Sequence, residues 1–174
     1  MLPKRLERNI VYESDWINLY TDKVQYPDGF IVDKYHVLHS CHDSICVIIE
    51  NDNDEILLIK SYRYVLGREE WEVPAGRIED GEDEVSTAKR EAMEETGYEI
   101  NDIQKVCTFN PNNGMSDLTI HLYRAKAGSS ISNFDKNEVK EIAWFSKDTI
   151  KQMLKNNELY CGVSLIALMY ALLF

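Results

Sequence analysis

The sequence predicts a mixed α+β fold, in which helices cover a sheet as in an α/β/α sandwich. Two observations lead to this prediction. Several short runs rich in β-branched and aromatic residues are separated by turn signals, and three other segments have helical periodicity. At 174 residues the chain is long enough for one domain with a substantial core, and it contains no internal repeat.

The strands are predicted first. Near the N-terminus, the β-rich runs WINLY, KVQY and FIVDKYHVL surround the turn PDG, in which Pro presets φ and Gly accepts a positive φ. A second hairpin is predicted from SICVIIE and EILLIKSYR, which flank NDND. Further strands are predicted at IQKVCTF, LTIHLYRA and VKEIAWF.

Three helices are predicted. The first covers residues 83–96, because Val85, Ala88 and Ala92 have helical spacing and Gly97 is a typical residue just past a helix end. The second is SKDTIKQMLKNN, for which Ser146 is a candidate N-cap. The last is GVSLIALMYALLF, which is shorter than the ~20 residues needed to cross a bilayer. We therefore expect a buried or interface helix there, and no membrane partner.

Composition narrows the possible partners. The formal net charge is -11 and the pI is about 4.8, which argues against a protein that follows nucleic-acid backbones by charge. An anionic substrate would need metal ions beside such a protein. The four cysteines form no CxxC pair, and the N-terminus has no apolar segment of a secretion signal, so a cytoplasmic location is expected.

Carboxylates crowd the end of the first predicted helix. At about 100° per residue, Glu91, Glu94 and Glu95 form one arc beside the small apolar stripe. Ionised carboxylates withdrawn from water must be paired or bind a cation. Lys89 and Arg90 are the nearby bases, and the helical wheel places neither within the arc. A hard divalent cation with oxygen ligands would remove the repulsion.

The segment GRIEDGEDEVSTAKREAMEETGY resembles the Nudix box at every position, with Ala92 standing where a larger aliphatic residue is usual. The resemblance implies a loop-helix-loop that binds divalent ions, usually Mg²⁺ with Mn²⁺ as the alternative, and hydrolyses a nucleoside diphosphate linked to another group. By the same resemblance, the metal ligands would be Glu91, Glu95, Glu94 and the carbonyl of Ala75. Arg90 and Glu94 would have catalytic roles, and Arg90 would orient the cluster through ion pairing with Glu82. The structural positions of the box would be Gly76, Glu82 and Gly97.

A general base is expected from an acidic loop after the box, as in the related ADP-ribose hydrolases. The corresponding segment here is SNFDKNEVKE. Glu138 is the first choice for this base, and Asp135 and Glu141 remain alternatives. A base must lie within hydrogen-bond reach of the water whose proton it takes.

The segment SYRYVLGREEWEVPAG and the N-terminal SDWINLY with PDG resemble the ADP-sugar pyrophosphatase branch of this family. The resemblance implies a Nudix domain at 43–174 with a mixed sheet, and an N-terminal antiparallel β extension at 1–42 that pairs two subunits into a homodimer and lends residues to the partner's site. It also implies a nucleotide-sugar substrate. Substrate contacts would come from Trp16 and Tyr35, which would stack on the base, and from Arg63 and Glu72.

Three alternatives remain open. The segment NPNNGMSDLTIHLY departs from the branch by two asparagines, so a GDP-mannose-type substrate competes with ADP-ribose. A Nudix module that senses a nucleotide without cleaving it is a second alternative, although no box glutamate is replaced. Zinc is a third, from His36, His39, Cys41, His42 and Cys46, but strand alternation puts His39 and Cys41 on the opposite face from His42.

Overall fold

In the computed structural model, which describes residues 1–131 and 133–174, the chain forms two compact units. The first contains Met1–Asp43 and Asn110–Thr119. The second contains Ser44–Phe109 and Ile120–Phe174. Ser132, the first residue of the predicted acidic loop, lies outside the described residues.

The first unit is built on a three-stranded antiparallel sheet of β1 (Lys4–Tyr12), β2 (Ile17–Gln25) and β3 (Ile31–Ser40), in that order. The predicted PDG hairpin is confirmed: Gly29 has a φ of 90°, and the Tyr26 N–H donates to the Phe30 carbonyl at 2.8 Å. β1 was not predicted, because its sequence KRLERNIVY is largely polar and it is exposed along its whole length.

Residues 110–119 belong to this unit through contacts with β3. The Tyr35 hydroxyl donates to the Gly114 carbonyl at 2.7 Å, and the Leu38 N–H donates to the Met115 carbonyl at 2.8 Å. His39 Nδ1 lies 2.6 Å from Asp117 Oδ2. The loop is therefore fixed at three successive points along one strand.

The second unit is built on a mixed sheet. Its central strands follow the order β10-β5-β4-β9-β8, with β6 added on β5 and β7 on β4. β4 and β9 run parallel, and the remaining pairs are antiparallel. The strands are β4 (Ser44–Glu50), β5 (Glu55–Arg63), β6 (Arg68–Glu72), β7 (Ala75–Arg77), β8 (Tyr98–Phe109), β9 (Ile120–Ser130) and β10 (Val139–Ser146). The predicted α+β class with a mixed sheet is confirmed.

The helices are α1 (Glu84–Thr96), α2 (Lys147–Lys155) and α3 (Gly162–Leu173). Asp83 caps α1 by accepting from the Ser86 N–H at 2.7 Å, and Gly97 ends it with a φ of 74°. Ser146 caps α2, as predicted, by accepting from the Thr149 N–H at 3.1 Å. Among the described residues, none of the helices is both long enough and apolar enough to span a membrane.

The core lies on both faces of β4. Ile45, Val47 and Ile49 pack with Ala88 and Ala92 of α1, and the alternate residues of β4 are also buried. Because α3 contacts β4 as well, helices cover the two faces of this strand. Val85 shares the helical spacing of Ala88 and Ala92, and the inward packing expected of that apolar stripe is wrong for Val85, which is 39% exposed. The buried arc of α1 is centred near Ala88 and Glu95, so Val85 lies toward its edge.

Candidate active site

The box begins where β7 meets β4. Ala75 and Gly76 pair with Cys46 and Ile45 of β4, so their backbone is fixed by the central strand. The Ala75 N–H donates to Glu95 Oε2 at 2.8 Å. A Cβ on Gly76 would lie 1.8 Å from Glu91 Oε1. The glycine therefore leaves the space that the Glu91 carboxylate occupies, and two glutamates of α1 lie against the same short strand.

Glu95 is a deeply buried carboxyl, with 6% of its surface exposed. Burial raises its pKa to about 8, and the hydrogen bond from the Ala75 N–H only partly opposes this shift. The neighbouring charge of Glu91 raises the pKa further. A carboxylate in this position gains most from a bound cation.

Arg90 connects the acidic residues of the box. It forms a two-pronged pair with Glu82, from Nε to Oε1 at 2.9 Å and from Nη2 to Oε2 at 3.0 Å. Its Nη1 also donates to Glu91 Oε1 at 2.8 Å and to Glu94 Oε2 at 3.1 Å. The helical-wheel exclusion of Arg90 from the arc was therefore wrong, because its long side chain reaches across the helix surface.

The partners of Arg90 have unequal acidities. The guanidinium hydrogen bond lowers the pKa of Glu82 to about 2. Burial raises the pKa of Glu91, although the Arg90 charge opposes this, and the charges of Glu94 and Glu138 raise it further. Glu82 thus holds the guanidinium as a fixed anion, while burial and the negative charges of Glu94 and Glu138 disfavour the charged form of Glu91.

The three acidic-loop candidates lie in different surroundings. Glu138 is exposed, and its charge is near enough to raise the pKa values of both Glu91 and Glu95. Asp135 Oδ1 accepts from the Asn137 backbone and side chain, each at 2.8 Å. Glu141 lies 3.7 Å from Lys60 on the sheet. Two of the three candidates therefore lie near the box: Glu138 through its charge, and Asp135 through its N–H, which donates to the Glu94 carbonyl at 2.7 Å.

A cavity of about 800 Å³ adjoins the start of the box. Ala75, Gly76, Arg63 and Glu72 all line it. Arg63 and Glu72 form a two-pronged pair, with both N···O distances at 2.6 Å, and Glu72 is 3% exposed. The hydrogen bonds that Arg63 donates to Glu72 raise the pKa of Arg63. Glu72 is thus occupied in holding Arg63, whose guanidinium remains partly exposed at the cavity wall.

Sequence reasoning missed the cavity wall formed by the C-terminal segment. Tyr160, Cys161 and Ser164 line the cavity, and the Ser164 hydroxyl accepts from the buried Val73 N–H at 3.1 Å. The Arg68 guanidinium lies 4.0 Å from the centre of the Tyr160 ring. These contacts join distant parts of the chain, and the apolar helical pattern of the segment gave no local sign of them.

Trp16 and Tyr35, predicted to stack on a base, belong to the first unit. Trp16 directly precedes β2, with 66% of its surface exposed. Tyr35 lies on β3, where its hydroxyl donates to the 110–119 loop.

A divalent cation fits the chemistry of the box residues. Glu91 and Glu95 are buried carboxylates whose pKa values are raised by burial, and hard cations prefer such oxygen ligands. Across residues 1–131 and 133–174, no three His, Cys, Asp or Glu side chains form a ready-made metal cluster. Glu91 and Glu94 are turned toward Arg90. Ion binding would therefore require these two carboxylates to exchange a guanidinium partner for a metal partner.

Three of the five residues of the zinc alternative are occupied in other ways. His39 Nδ1 contacts Asp117, and Cys41 Sγ lies 3.3 Å from the Ser14 carbonyl, to which it donates. Cys46 is buried in β4, and burial raises the pKa of its thiol to about 12.

Comparison with known proteins agrees with this geometry. The model of the NUDIX domain family matches residues 41–161. The chain belongs to the NUDIX family and is a pyrophosphohydrolase of the Nudix type. The predicted place in the ADP-ribose pyrophosphatase branch is also confirmed.

The relatives span nearly the whole chain. A methanol dehydrogenase activator of Bacillus methanolicus is 31% identical over 170 residues, which are 96% of this chain and 91% of the relative. An ADP-ribose pyrophosphatase of Bacillus subtilis is 27% identical over the same shares. A crystal structure of an ADP compounds hydrolase superposes with a TM-score of 0.86 at 17% identity, over 98% of this chain and 92% of the other. This last likeness supports the fold.

Proposed function

We propose that the protein is a magnesium-dependent hydrolase of ADP-ribose or a related nucleotide sugar, and that it releases a nucleoside monophosphate and a sugar phosphate. The observation that carries this proposal is the buried pair Glu91 and Glu95 of α1, which lies against Ala75 and Gly76 of β7. These two residues line a cavity that also presents Arg63. The name of the B. subtilis relative supports the choice of ADP-ribose.

The metal ions would be held by Glu91, Glu94, Glu95 and the Ala75 carbonyl. When bound, Mg²⁺, or Mn²⁺ in its place, would neutralise the charge of the phosphate oxygens and lower the pKa of a water molecule. Arg90 keeps the carboxylates oriented through its pair with Glu82. Glu138 would take the proton of this water molecule. Its charge lies beside Glu91 and Glu95, and its exposed carboxylate can pass the proton to solvent.

Substrate binding is assigned to the cavity and to the N-terminal aromatic residues. The volume of about 800 Å³ suits a ligand of nucleotide-sugar size. Arg63, fixed by Glu72, presents a planar donor to phosphate oxygens. Trp16 provides a stacking surface for the base, with Tyr35 as a second wall. GDP-mannose or another nucleoside diphosphate derivative remains the alternative substrate.

Homodimer formation through the N-terminal extension at 1–42 is part of the proposal. β1 is a sheet edge with one paired side, and edge strands are surfaces on which a second chain can pair. Such a dimer would let Trp16 of one subunit serve the site of the other.

A second candidate function comes from the B. methanolicus relative, which is a methanol dehydrogenase activator. On this hypothesis the same hydrolysis would act on a dehydrogenase through its nucleotide cofactor. NADH and NAD⁺ are therefore included among the test substrates, and cleavage of these in preference to ADP-ribose would favour this candidate.

The deciding experiment is turnover of the purified protein with Mg²⁺ on ADP-ribose, GDP-mannose, NADH, NAD⁺ and diadenosine polyphosphates. We expect ADP-ribose to have the highest kcat/KM, with AMP as a product. Glu95→Gln should abolish turnover and leave the fold intact by circular dichroism. Undiminished turnover in Glu95→Gln would refute the metal assignment.

A further inference from the structure

A second cavity, of about 450 Å³, lies at the other end of the strands that carry the candidate active site. β4 and β9 run parallel, with Ser44 beside Ile120 at the active-site end and Glu50 beside Lys126 at the far end. Six residues of extended strand separate the two ends by about 20 Å. The second cavity is therefore distinct from the first.

A β-bulge forms one wall of this cavity. Between the pairs Asn101–Lys126 and Gln104–Arg124, β8 contains one residue more than β9. Asp102, within the bulge, has a φ of 51°, which is uncommon for a residue other than glycine. Bulges interrupt the ladder and redirect side chains. Here the interruption lies directly beside Arg124, which lines the cavity with Lys126.

Arg124 has a buried donor that lacks an acceptor. Its Nε is inaccessible and makes no hydrogen bond within the described chain. A guanidinium stays protonated at all ordinary pH values, so it cannot lose this donor by titration. A buried donor without a partner costs about 1–3 kcal/mol. An anionic acceptor in the cavity would remove that cost.

Glu50 has a buried acceptor that lacks a donor. It is 6% exposed and lines the same cavity, and its Oε1 accepts no hydrogen bond from the described residues. Lys147 Nζ lies 3.3 Å from Oε1 without hydrogen-bond alignment, and Lys126 Nζ lies 3.6 Å from Oε2. The two lysines more than neutralise the carboxylate. The nearby Asp102 is exposed, so water screens its charge.

We propose that this cavity binds a small phosphate-type anion that also carries a hydroxyl donor, such as monohydrogen phosphate or a sugar phosphate. On binding, the side chains of Arg124 and Glu50 turn toward the cavity. The phosphate oxygens then accept from Arg124 Nε and neutralise the excess positive charge of Lys126 and Lys147. The hydroxyl donates to Glu50 Oε1. One ligand thereby satisfies both buried groups, and the requirement for a donor disfavours sulfate. This inference does not depend on the proposed hydrolase function.

Titration of the metal-free protein at neutral pH, followed residue by residue by NMR, tests the proposal. Inorganic phosphate and ribose 5-phosphate should each shift the amides of Ile103, Gln104 and Lys126 to saturation. If ribose 5-phosphate binds more tightly than inorganic phosphate, a sugar hydroxyl is the group that donates to Glu50. If inorganic phosphate binds more tightly, the protonated phosphate oxygen is that group. Sulfate should bind at least tenfold more weakly than either, because it has no proton to offer Glu50.

Arg124→Gln should weaken phosphate binding at least tenfold, and Lys126→Gln provides a second variant at the same cavity. Lys151→Gln is the matched control, since it removes the same charge from an exposed pair with Asp148 outside the cavity. Its affinity should stay within about twofold of the wild type, because exposed charges are screened. Equal affinity in Arg124→Gln and wild type, or equal affinity for sulfate and phosphate, would overturn the proposal.

Discussion

Glu91 and Glu95 lie one helical turn apart on α1 and have different partners. Glu95 accepts from the Ala75 N–H, while Glu91 accepts from Arg90 and occupies the space beside Gly76. Burial raises the pKa of each. A bound cation would stabilise both carboxylates. Substitutions at these two glutamates and beside them therefore test the metal hypothesis most directly.

Gly76→Ala should displace the Glu91 carboxylate without disturbing the fold. The new Cβ would lie 1.8 Å from Glu91 Oε1, and a flexible carboxylate can move away at little cost in stability. We expect turnover to fall at least tenfold while the free energy of unfolding changes by less than about 1 kcal/mol. Gly114→Ala is the control, because a Cβ there meets open space. Wild-type turnover in Gly76→Ala would show that Glu91 can leave this place without consequence.

The stability of the metal-free protein should depend on pH through Glu95. Its folded pKa is about 8, against an ordinary value of 4.5. The folded state therefore holds a proton that the unfolded state releases earlier. This contribution to stability is complete below pH 4.5 and is lost as the pH rises through about 8.

Thermal unfolding in a chelator, from about pH 5 to about pH 9, measures this loss as the difference in Tm between wild type and Glu95→Gln. The wild type should lose more stability than the variant as the pH rises, and Mg²⁺ should restore Tm in the wild type alone. Parallel pH profiles for the two proteins would contradict a raised pKa at Glu95.

At the residue scale the sequence located the box glutamates because their helical spacing fixes one face. It misplaced Arg90, since a helical wheel records where a side chain starts and not how far it reaches. Glu138 was placed before Asp135 and Glu141 as the base, but spacing could not test that order, because loop residues have no periodicity that fixes their direction. The pairing of Arg63 with Glu72 depends on the β5–β6 register, which spacing alone does not give.

Among the elements, α3 supports the site from a distance. Its first turn provides Ser164, whose buried hydroxyl accepts from the Val73 N–H just before Ala75. Through this contact the C-terminal helix fixes the connection between β6 and β7. The helix thus stabilises the backbone that the Ala75 N–H uses to bind Glu95.

Ser164→Ala should loosen that connection. It leaves the Val73 N–H without its acceptor, which costs about 1–3 kcal/mol of stability. We also expect a higher Mg²⁺ concentration for half-maximal activity, because Ala75 is displaced. Ser146→Ala loses a similar hydroxyl at the N-cap of α2. It should cost about 1 kcal/mol and leave the Mg²⁺ dependence unchanged. The same Mg²⁺ dependence in both variants would argue against a role of α3 at the site.

Most elements were predictable because their residues alternate or repeat on one face. β1 was missed since charged and polar residues interrupt its apolar residues, and the strand is exposed along its whole length. β7 is three residues long and has no pattern of its own. The attachment of residues 110–119 to β3 comes from pairing distant in sequence, which a local pattern cannot report.

The net charge of the molecule and its proposed dimerisation both affect how substrate reaches the site. A net charge of -11 opposes the approach of an anionic substrate, so bound cations and Arg63 must provide local attraction. The proposed homodimer would add Trp16 of the partner to each site. Symmetric dimers repeat one interface twice, so each subunit would give one such residue and receive one.

Subunit mixing tests this arrangement. Trp16→Ala should raise KM more than it lowers kcat, because stacking acts on ground and transition states alike. Glu95→Gln should be inactive through loss of its metal ligand. In a mixed dimer, the Trp16→Ala subunit keeps its glutamates and receives an intact Trp16 from the Glu95→Gln partner.

Random exchange makes half of the dimers mixed, each with one complete site, so activity at low substrate should recover to about a quarter of wild type. Light scattering should give twice the mass of one chain, and mixing either variant with itself is the control. If mixing restores nothing although exchange is complete, Trp16 acts within its own subunit or outside the site, and the proposed exchange of residues is wrong.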